Sequence, residues 1–163
     1  MNDNDQPRYL MISWEQFHRD ARTLAAKLLD KEPFKKIVCV TRGGLLPAGI
    51  IARELEIRLV DTLCVLGYDE THRDVTANVI KRPEDVGDGE GVLVVDDLVD
   101  SGRTGQIVKK LMPKACFVTL YAKPEGRKYV DEFVTPFEQD AWLLFPWDVE
   151  LSPACPLARR KKA

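Results

Sequence analysis

The stretch Val92-Leu93-Val94-Val95-Asp96-Asp97-Leu98-Val99-Asp100-Ser101-Gly102-Arg103-Thr104-Gly105 constrains this chain more than any other. It opens with four consecutive apolar residues, three of them β-branched, after the turn cluster Gly87-Asp88-Gly89-Glu90-Gly91. A short unbroken apolar run with turn punctuation fits a strand buried on both faces, as in a parallel sheet. The strand is expected to end in two adjacent carboxylates, Asp96 and Asp97. A polar turn then leads to Gln106-Ile107-Val108-Lys109-Lys110-Leu111, where apolar residues resume at helical spacing. Ligands of open α/β sheets bind beyond the carboxyl ends of strands, so chemistry is expected at this turn.

The residue types there suit one kind of ligand. Ser101, Gly102, Arg103, Thr104 and Gly105 can offer backbone N–H groups and two hydroxyls at a helix start, which matches a phosphate dianion. Asp96 and Asp97 have the wrong charge for phosphate but suit ribose hydroxyls or a hard Mg2+ ion. A ribose 5-phosphate asks for both. Turn-making and helix-capping would explain a lone Asp-Asp pair, but not the whole run in this register. A phosphate loop of the Gly-Lys-Ser/Thr kind is absent, and the Gly87/Gly89/Gly91 cluster precedes the strand, where a dinucleotide fingerprint would follow it. The run closely resembles the phosphoribosyl-diphosphate (PRPP) signature of type I phosphoribosyltransferases: apolar strand, acidic pair, two apolar residues, then Asp-Ser/Thr-Gly-x-Thr.

Around it, strands and helices alternate. Tyr9 to Ile12 reads as a short strand, and Ser13 with Gln16 matches a capping box. The helix that follows carries Phe17, Ala21, Leu24, Ala25 and Leu28 on one face. Ile37 to Val40 is a further buried strand, followed by Thr41-Arg42-Gly43-Gly44 and a helix from about Pro47 to Leu55. Two glycines let backbone approach an anion and Arg42 adds charge, although a tight strand–helix turn accounts for them equally well. Leu59 to Leu66 reads as a strand, with Val75 to Lys81 returning after a polar middle. Pro113 ends the helix after the signature, and Ala115 to Tyr121 forms a strand followed by Ala122-Lys123-Pro124. The run from Asp140 to Asp148 is dense in aromatics. His18 and His72 read as packed or solvated side chains.

Length and charge narrow the class. One domain over 1–163 is expected, with a tail from about 150 to 163 irregular. The 24 Lys+Arg nearly balance the 26 Asp+Glu, which gives no support for nucleic-acid binding. No apolar run is long enough to span a bilayer, and Met1-Asn2-Asp3-Asn4-Asp5-Gln6 is no signal peptide. The four cysteines form no C-x-x-C pair, and Cys39, Cys64 and Cys116 lie in strand-like runs, which fits a reduced, cytoplasmic protein. Arg159-Arg160-Lys161-Lys162 reads as a solvated tail, with peripheral contact with the anionic inner membrane as the minor alternative.

The resemblance extends from Tyr9 to Asp148 and is closest to the bacterial xanthine-guanine phosphoribosyltransferases. It is carried by Thr41-Arg42-Gly43-Gly44, Tyr68-Asp69, Val94-Val95-Asp96-Asp97-Leu98-Val99-Asp100, Ala122-Lys123-Pro124, and Trp142 followed by Pro146-Trp147-Asp148. It implies an α/β fold with a central, mostly parallel sheet flanked by helices, and a small hood. The implied reaction is purine salvage: phosphoribose passes from PRPP to guanine and xanthine, and weakly to hypoxanthine, giving GMP or XMP and pyrophosphate. By resemblance, Arg42, Gly43 and Arg73 hold the diphosphate, with Arg73 in a lid over 69–78, and the peptide within the Arg42 loop is often cis. Asp97 is the Mg2+-linked carboxylate and Asp96 lies near the ribose hydroxyls. Leu98 and Val99 belong to the PRPP-binding run, and Ser101, Gly102, Arg103 and Thr104 seat the 5′-phosphate. Asp100 is the catalytic proton acceptor facing purine N7. Lys123 donates to O6, Trp142 stacks on the ring, the main chain at Leu143 reads the 2-position, and Asp148 is a further purine-binding residue. A homotetramer or homodimer is implied as well. Two positions depart from the pattern: Arg103 is variable in the family, and Leu144 stands where a polar acid is expected. The alternatives are a PRPP- or nucleotide-sensing regulator of the same fold, and a transferase for another base. Lys123 argues against adenine, since an ammonium cannot donate to an exocyclic amine.

Overall fold

The computed structural model describes residues 8–31, 33–66 and 79–148. In chain order the elements are β1 (Arg8–Met11), α1 (Trp14–Leu28), β2 (Lys36–Thr41), α2 (Leu45–Glu54), β3 (Val60–Val65), β4 (Val79–Lys81), β5 (Val92–Val99), α3 (Arg103–Leu111), β6 (Cys116–Ala122), a 3-10 turn (Arg127–Tyr129), β7 (Glu132–Pro136) and β8 (Ala141–Leu144). The chain divides into two compact units, 20–139 and 1–19 with 140–163.

In the larger unit six strands form one sheet in the order β4-β3-β2-β5-β6-β7. All pairs are parallel except β3 with β4. Val92 to Val95 lie inside this sheet at no more than 5% exposure, which explains why the run has no polar face. Side chains alternate between faces along a strand. Val38, Val40, Val92 and Val94 pack with Ile107, Val108 and Met112 from α3 and its end. Ile37, Cys39, Leu93 and Val95 are equally buried and point the other way. The β2–α2–β3 and β5–α3–β6 crossovers run in opposite directions along the sheet. With right-handed crossovers, α2 and α3 must then cover opposite faces, opening a crevice at the carboxyl ends of β2 and β5.

Two expectations need correction. The central strand does not end at the acidic pair: Asp96 pairs with Thr119, Leu98 with Tyr121 and Val99 with Ala122, so β5 continues to Val99. α2 starts at Leu45, two residues before Pro47. A proline in the first turn lacks only an N–H that has no intrahelical acceptor there, so it does not mark the start. β7 was not anticipated, because Glu-Phe-Val-Thr-Pro is a half-buried edge strand with neither an apolar run nor clear alternation. The expected face of α1 is borne out: Phe17, Ala21, Leu24, Ala25 and Leu28 are all 2% exposed or less. Ser13 Oγ accepts the Gln16 N–H at 3.1 Å, as a helix N-cap does.

In the smaller unit, β1 and β8 pair in parallel, with Tyr9 beside Trp142 and Leu10 beside Leu143. The Phe145 and Trp147 rings stack at 4.8 Å, and Phe17 meets both edge-on. Among the described residues, no helix is long and apolar enough to cross a membrane. Cys39, Cys64 and Cys116 are free thiols. Burial pushes the Cys39 thiol up and that of Cys116 to about 11, so both behave as small hydrophobes.

The returning strand β4 is held by one carboxylate. Asp61 accepts from Lys81 Nζ at 2.6 Å, Thr62 N–H at 2.7 Å and Glu84 N–H at 2.8 Å. Burial alone would raise its pKa, but Lys81 and the two N–H groups outweigh it and hold the carboxyl at about 2. Because the folded value lies below the unfolded one of about 3.9, the contribution is complete above about pH 4 and is lost as pH falls through about 2. Asp61→Asn is therefore expected to lower the urea midpoint at pH 7, with the gap to the parent closing between about pH 4 and pH 2. A gap that stays constant across that range would contradict this account.

Candidate active site

Three segments far apart in sequence come together because β2 and β6 both flank β5. The carboxyl ends of β2, β5 and β6 carry Arg42-Gly43, the Asp96–Thr104 run and Lys123 respectively. The Thr41–Arg42 peptide is cis, as the resemblance implies. The loop turns tightly, with Gly44 N–H donating to Val40 O at 2.7 Å and Leu45 N–H to Arg42 O at 3.1 Å. A Cβ added at Gly43 would lie 2.5 Å from the carboxyl carbon of Asp97, so a side chain there would force that carboxylate to move.

Strand alternation sends the two acids of the pair to opposite faces. Asp97 is half-buried and lies against the Gly43 loop. Asp96 is buried at 8% exposure and accepts the Asp97 N–H at 2.9 Å. Burial first, and then the neighbouring Asp97 charge, raises the Asp96 carboxyl well above the ordinary range.

Asp100 stands just past the end of β5 with a half-exposed side chain. Lys123 is its opposite in environment, at 6% exposure. The parallel register sets Val99 beside Ala122, and Lys123 N–H donates to Val99 O at 2.9 Å. That register delivers Lys123 Nζ to Asp100 Oδ2 at 3.1 Å. Gln139, which the sequence did not single out, donates from Nε2 to Asp100 Oδ1 at 2.9 Å. No motif marks Gln139. It arrives because β7 runs beside β6, and Phe137 N–H then bonds Ala122 O at 3.0 Å.

Ser101 to Thr104 form the turn into α3. Gly102 has φ +85°, and a side chain there would strike the Tyr129 ring, whose hydroxyl accepts from Gln106 Nε2 at 3.1 Å. α3 starts at Arg103, so its first N–H groups open toward this turn.

The other residues assigned to the base, Trp142, Leu143 and Asp148, lie in β8 and its sequel. Trp142 is 59% exposed while Leu143 is buried, and alternation places Leu144 on the Trp142 face. Trp147 packs with Trp14, Phe17 and Phe145. Packing thus describes Trp147, while exposure leaves Trp142 available for stacking. Asp148 Oδ2 accepts the Phe145 N–H at 3.2 Å, closing a local turn. Arg73, His72 and the 69–78 lid lie outside the described residues.

The model of the phosphoribosyl transferase domain matches residues 13–154. The chain belongs to the phosphoribosyltransferase family. It is 55% identical over 151 residues to the xanthine-guanine phosphoribosyltransferase of Desulfotalea psychrophila, covering 93% of each chain. It is 49% identical to the enzyme of that name from Gluconobacter oxydans, covering 98% of each. Among solved structures, a purine phosphoribosyltransferase from Pyrococcus horikoshii superposes with TM-score 0.68 at 29% identity, over 85% of this chain and 93% of that one. The xanthine-guanine-hypoxanthine phosphoribosyltransferase of Helicobacter pylori has TM-score 0.67 at 23% identity, over 96% and 100%, and shares the fold.

The glycines of this family member separate into two kinds. Gly102→Ala is expected to cost at least ~1–2 kcal/mol from its left-handed backbone alone, and to weaken PRPP binding in calorimetry. Gly49→Ala, in α2 with nothing within 4 Å of the new Cβ, is expected to gain roughly 0.5–1 kcal/mol and leave binding unchanged. Equal effects at the two positions would contradict the geometry of the turn into α3.

Proposed function

We propose that this protein is a purine phosphoribosyltransferase of salvage metabolism, transferring phosphoribose from PRPP to guanine and xanthine and, weakly, to hypoxanthine. The observation that carries the site assignment is the Asp100–Lys123 pair, which joins the carboxyl ends of β5 and β6. As the bond from ribose C1 to pyrophosphate breaks, positive charge develops at C1 and negative charge on the leaving oxygens. Arg42 and the backbone of the Gly43 loop take the diphosphate, while the N–H groups and hydroxyls of Ser101 to Thr104 fix the 5′-phosphate. Together they set the direction of attack. Asp100 accepts the purine N7 proton. Lys123 has three N–H bonds; one serves Asp100, and another is assigned to the O6 that guanine, xanthine and hypoxanthine share. Trp142 is assigned stacking on the ring, and the main chain at Leu143 the 2-position.

Mg2+ is the cofactor of this reading. It takes one or two protein carboxylates and completes its shell with water and substrate phosphate oxygens. Asp97 fits that role, whereas the buried Asp96 carboxyl is better suited to a hydrogen bond with a ribose hydroxyl. When bound, the ion neutralises charge on the diphosphate. Arg73 is assigned to the same diphosphate. We place the enzyme in the cytoplasm as a homo-oligomer of one functional domain. The basic run Arg159-Arg160-Lys161-Lys162 is a candidate for contact with an anionic membrane face.

Base choice rests on the 2-position. Guanine offers an amino donor to a main-chain carbonyl; hypoxanthine offers nothing and leaves that acceptor unpaired. Xanthine offers a carbonyl, which needs a polar mediator that Leu144 does not supply. Nucleotide formation measured with PRPP, Mg2+ and each base is expected to give kcat/KM in the order guanine, xanthine, hypoxanthine. Leu144→Glu is expected to raise xanthine relative to guanine. No nucleotide from any of the three would overturn the function; xanthine equal to guanine and unmoved by the substitution would overturn the role of Leu144.

A further inference from the structure

We infer that Gln139 is a positioning residue for the transfer, fixing the orientation of the Asp100 carboxylate; the inference rests on the assignment of Asp100 as proton acceptor. Asp100 is half-exposed and sits where the chain leaves β5, with a side chain that reaches solvent. Both oxygens are nevertheless held from elsewhere. Lys123 Nζ is 3.1 Å from Oδ2 and Gln139 Nε2 is 2.9 Å from Oδ1. A lysine ammonium is close to a point charge and restrains distance more than angle. A second donor on the other oxygen fixes the carboxylate plane.

The amide is itself oriented. Gln139 Oε1 accepts the Glu125 N–H at 3.1 Å, a main-chain donor two residues beyond Lys123. Turning the amide over would set oxygen against the Asp100 carboxylate and NH2 against the Glu125 N–H, losing both bonds. Lys123 O in turn accepts the N–H groups of Gly126 and Arg127 at 3.1 and 3.0 Å. The turn that carries the lysine therefore also aligns the glutamine, and the two donors form one frame around Asp100. The choice of an amide has a chemical reason as well. It orients the carboxylate without adding a second positive charge, which would make Asp100 a weaker proton acceptor. Each carboxylate oxygen keeps a further lone pair for the purine proton.

The test is a double-mutant cycle on full-length enzyme. Gln139→Met and Asp100→Asn are made singly and together, with kcat, KM for PRPP and guanine, and thermal midpoint measured for each. Asp100→Asn is expected to lower kcat by ~10²–10⁴-fold. Gln139→Met keeps length and volume but loses both amide bonds, and is expected to lower kcat by about 10–100-fold with KM for PRPP within about twofold. In the Asp100→Asn background the same substitution is expected to change kcat by less than about twofold, since it acts only through Asp100. Gln139→Glu retains the acceptor for Glu125 but presents a carboxylate to Asp100. It is expected to lose at least as much kcat, and it carries the cycle if the methionine variant is unstable. Normal kcat in Gln139→Met, or an equal further loss in the Asp100→Asn background, overturns the inference alone. Near-normal turnover in Asp100→Asn overturns the Asp100 assignment, and the inference with it.

Discussion

The burial of β5 on both faces, between β2 and β6, is the constraint from which the rest follows. Leu93, Val94 and Val95 are wholly enclosed, and each such side chain contributes about 1.5–3 kcal/mol relative to exposure. Where the strand is enclosed most tightly, from Val92 to Val95, it carries no polar side chain, and its first acid is Asp96. Its chemistry is confined to the end where it emerges, and its two parallel neighbours deliver their own carboxyl-end loops to the same edge. Arg42, Asp97, Asp100 and Lys123 are brought together by sheet order more than by any local motif.

The same edge resolves an electrostatic conflict. In the proposed function, a ligand carrying a phosphate and a diphosphate binds beside three aspartates. Asp96 is removed from the conflict by burial, which raises its pKa and favours the neutral form. Asp100 is matched by the buried Lys123 ammonium, and a buried charge of that kind is tolerable only with a partner. Asp97 remains beside the diphosphate loop, where the proposed Mg2+ reverses its effect. On the proposed roles, the pairing of Lys123 with Asp100 links base recognition to proton transfer.

Much of this was legible in the sequence, for identifiable reasons. The α1 face was readable because Phe17, Ala21, Leu24, Ala25 and Leu28 follow helical spacing with little interference. The core of β5 was readable because four apolar residues in a row permit few alternatives. Its end was not, since Asp96 and Asp97 look like a stop while the ladder to β6 continues past them. Trp142 and Trp147 were indistinguishable as letters; β8 alternation exposes one and aromatic packing occupies the other. Asp100 and Lys123 could each be named from motifs, but their contact depends on the register of Val99 with Ala122. Gln139 left no sequence signal, because β7, the strand that leads to it, has none.

The central claim is that this strand edge transfers phosphoribose to a 6-oxopurine read by Lys123. The most direct measurement is kcat/KM for guanine and for adenine under saturating PRPP and Mg2+, with nucleotide product identified by mass. A donor aimed at O6 meets a donor on adenine, so preference for guanine on the order of 10⁴-fold or more is predicted. Adenine turned over within about tenfold of guanine would contradict the claim.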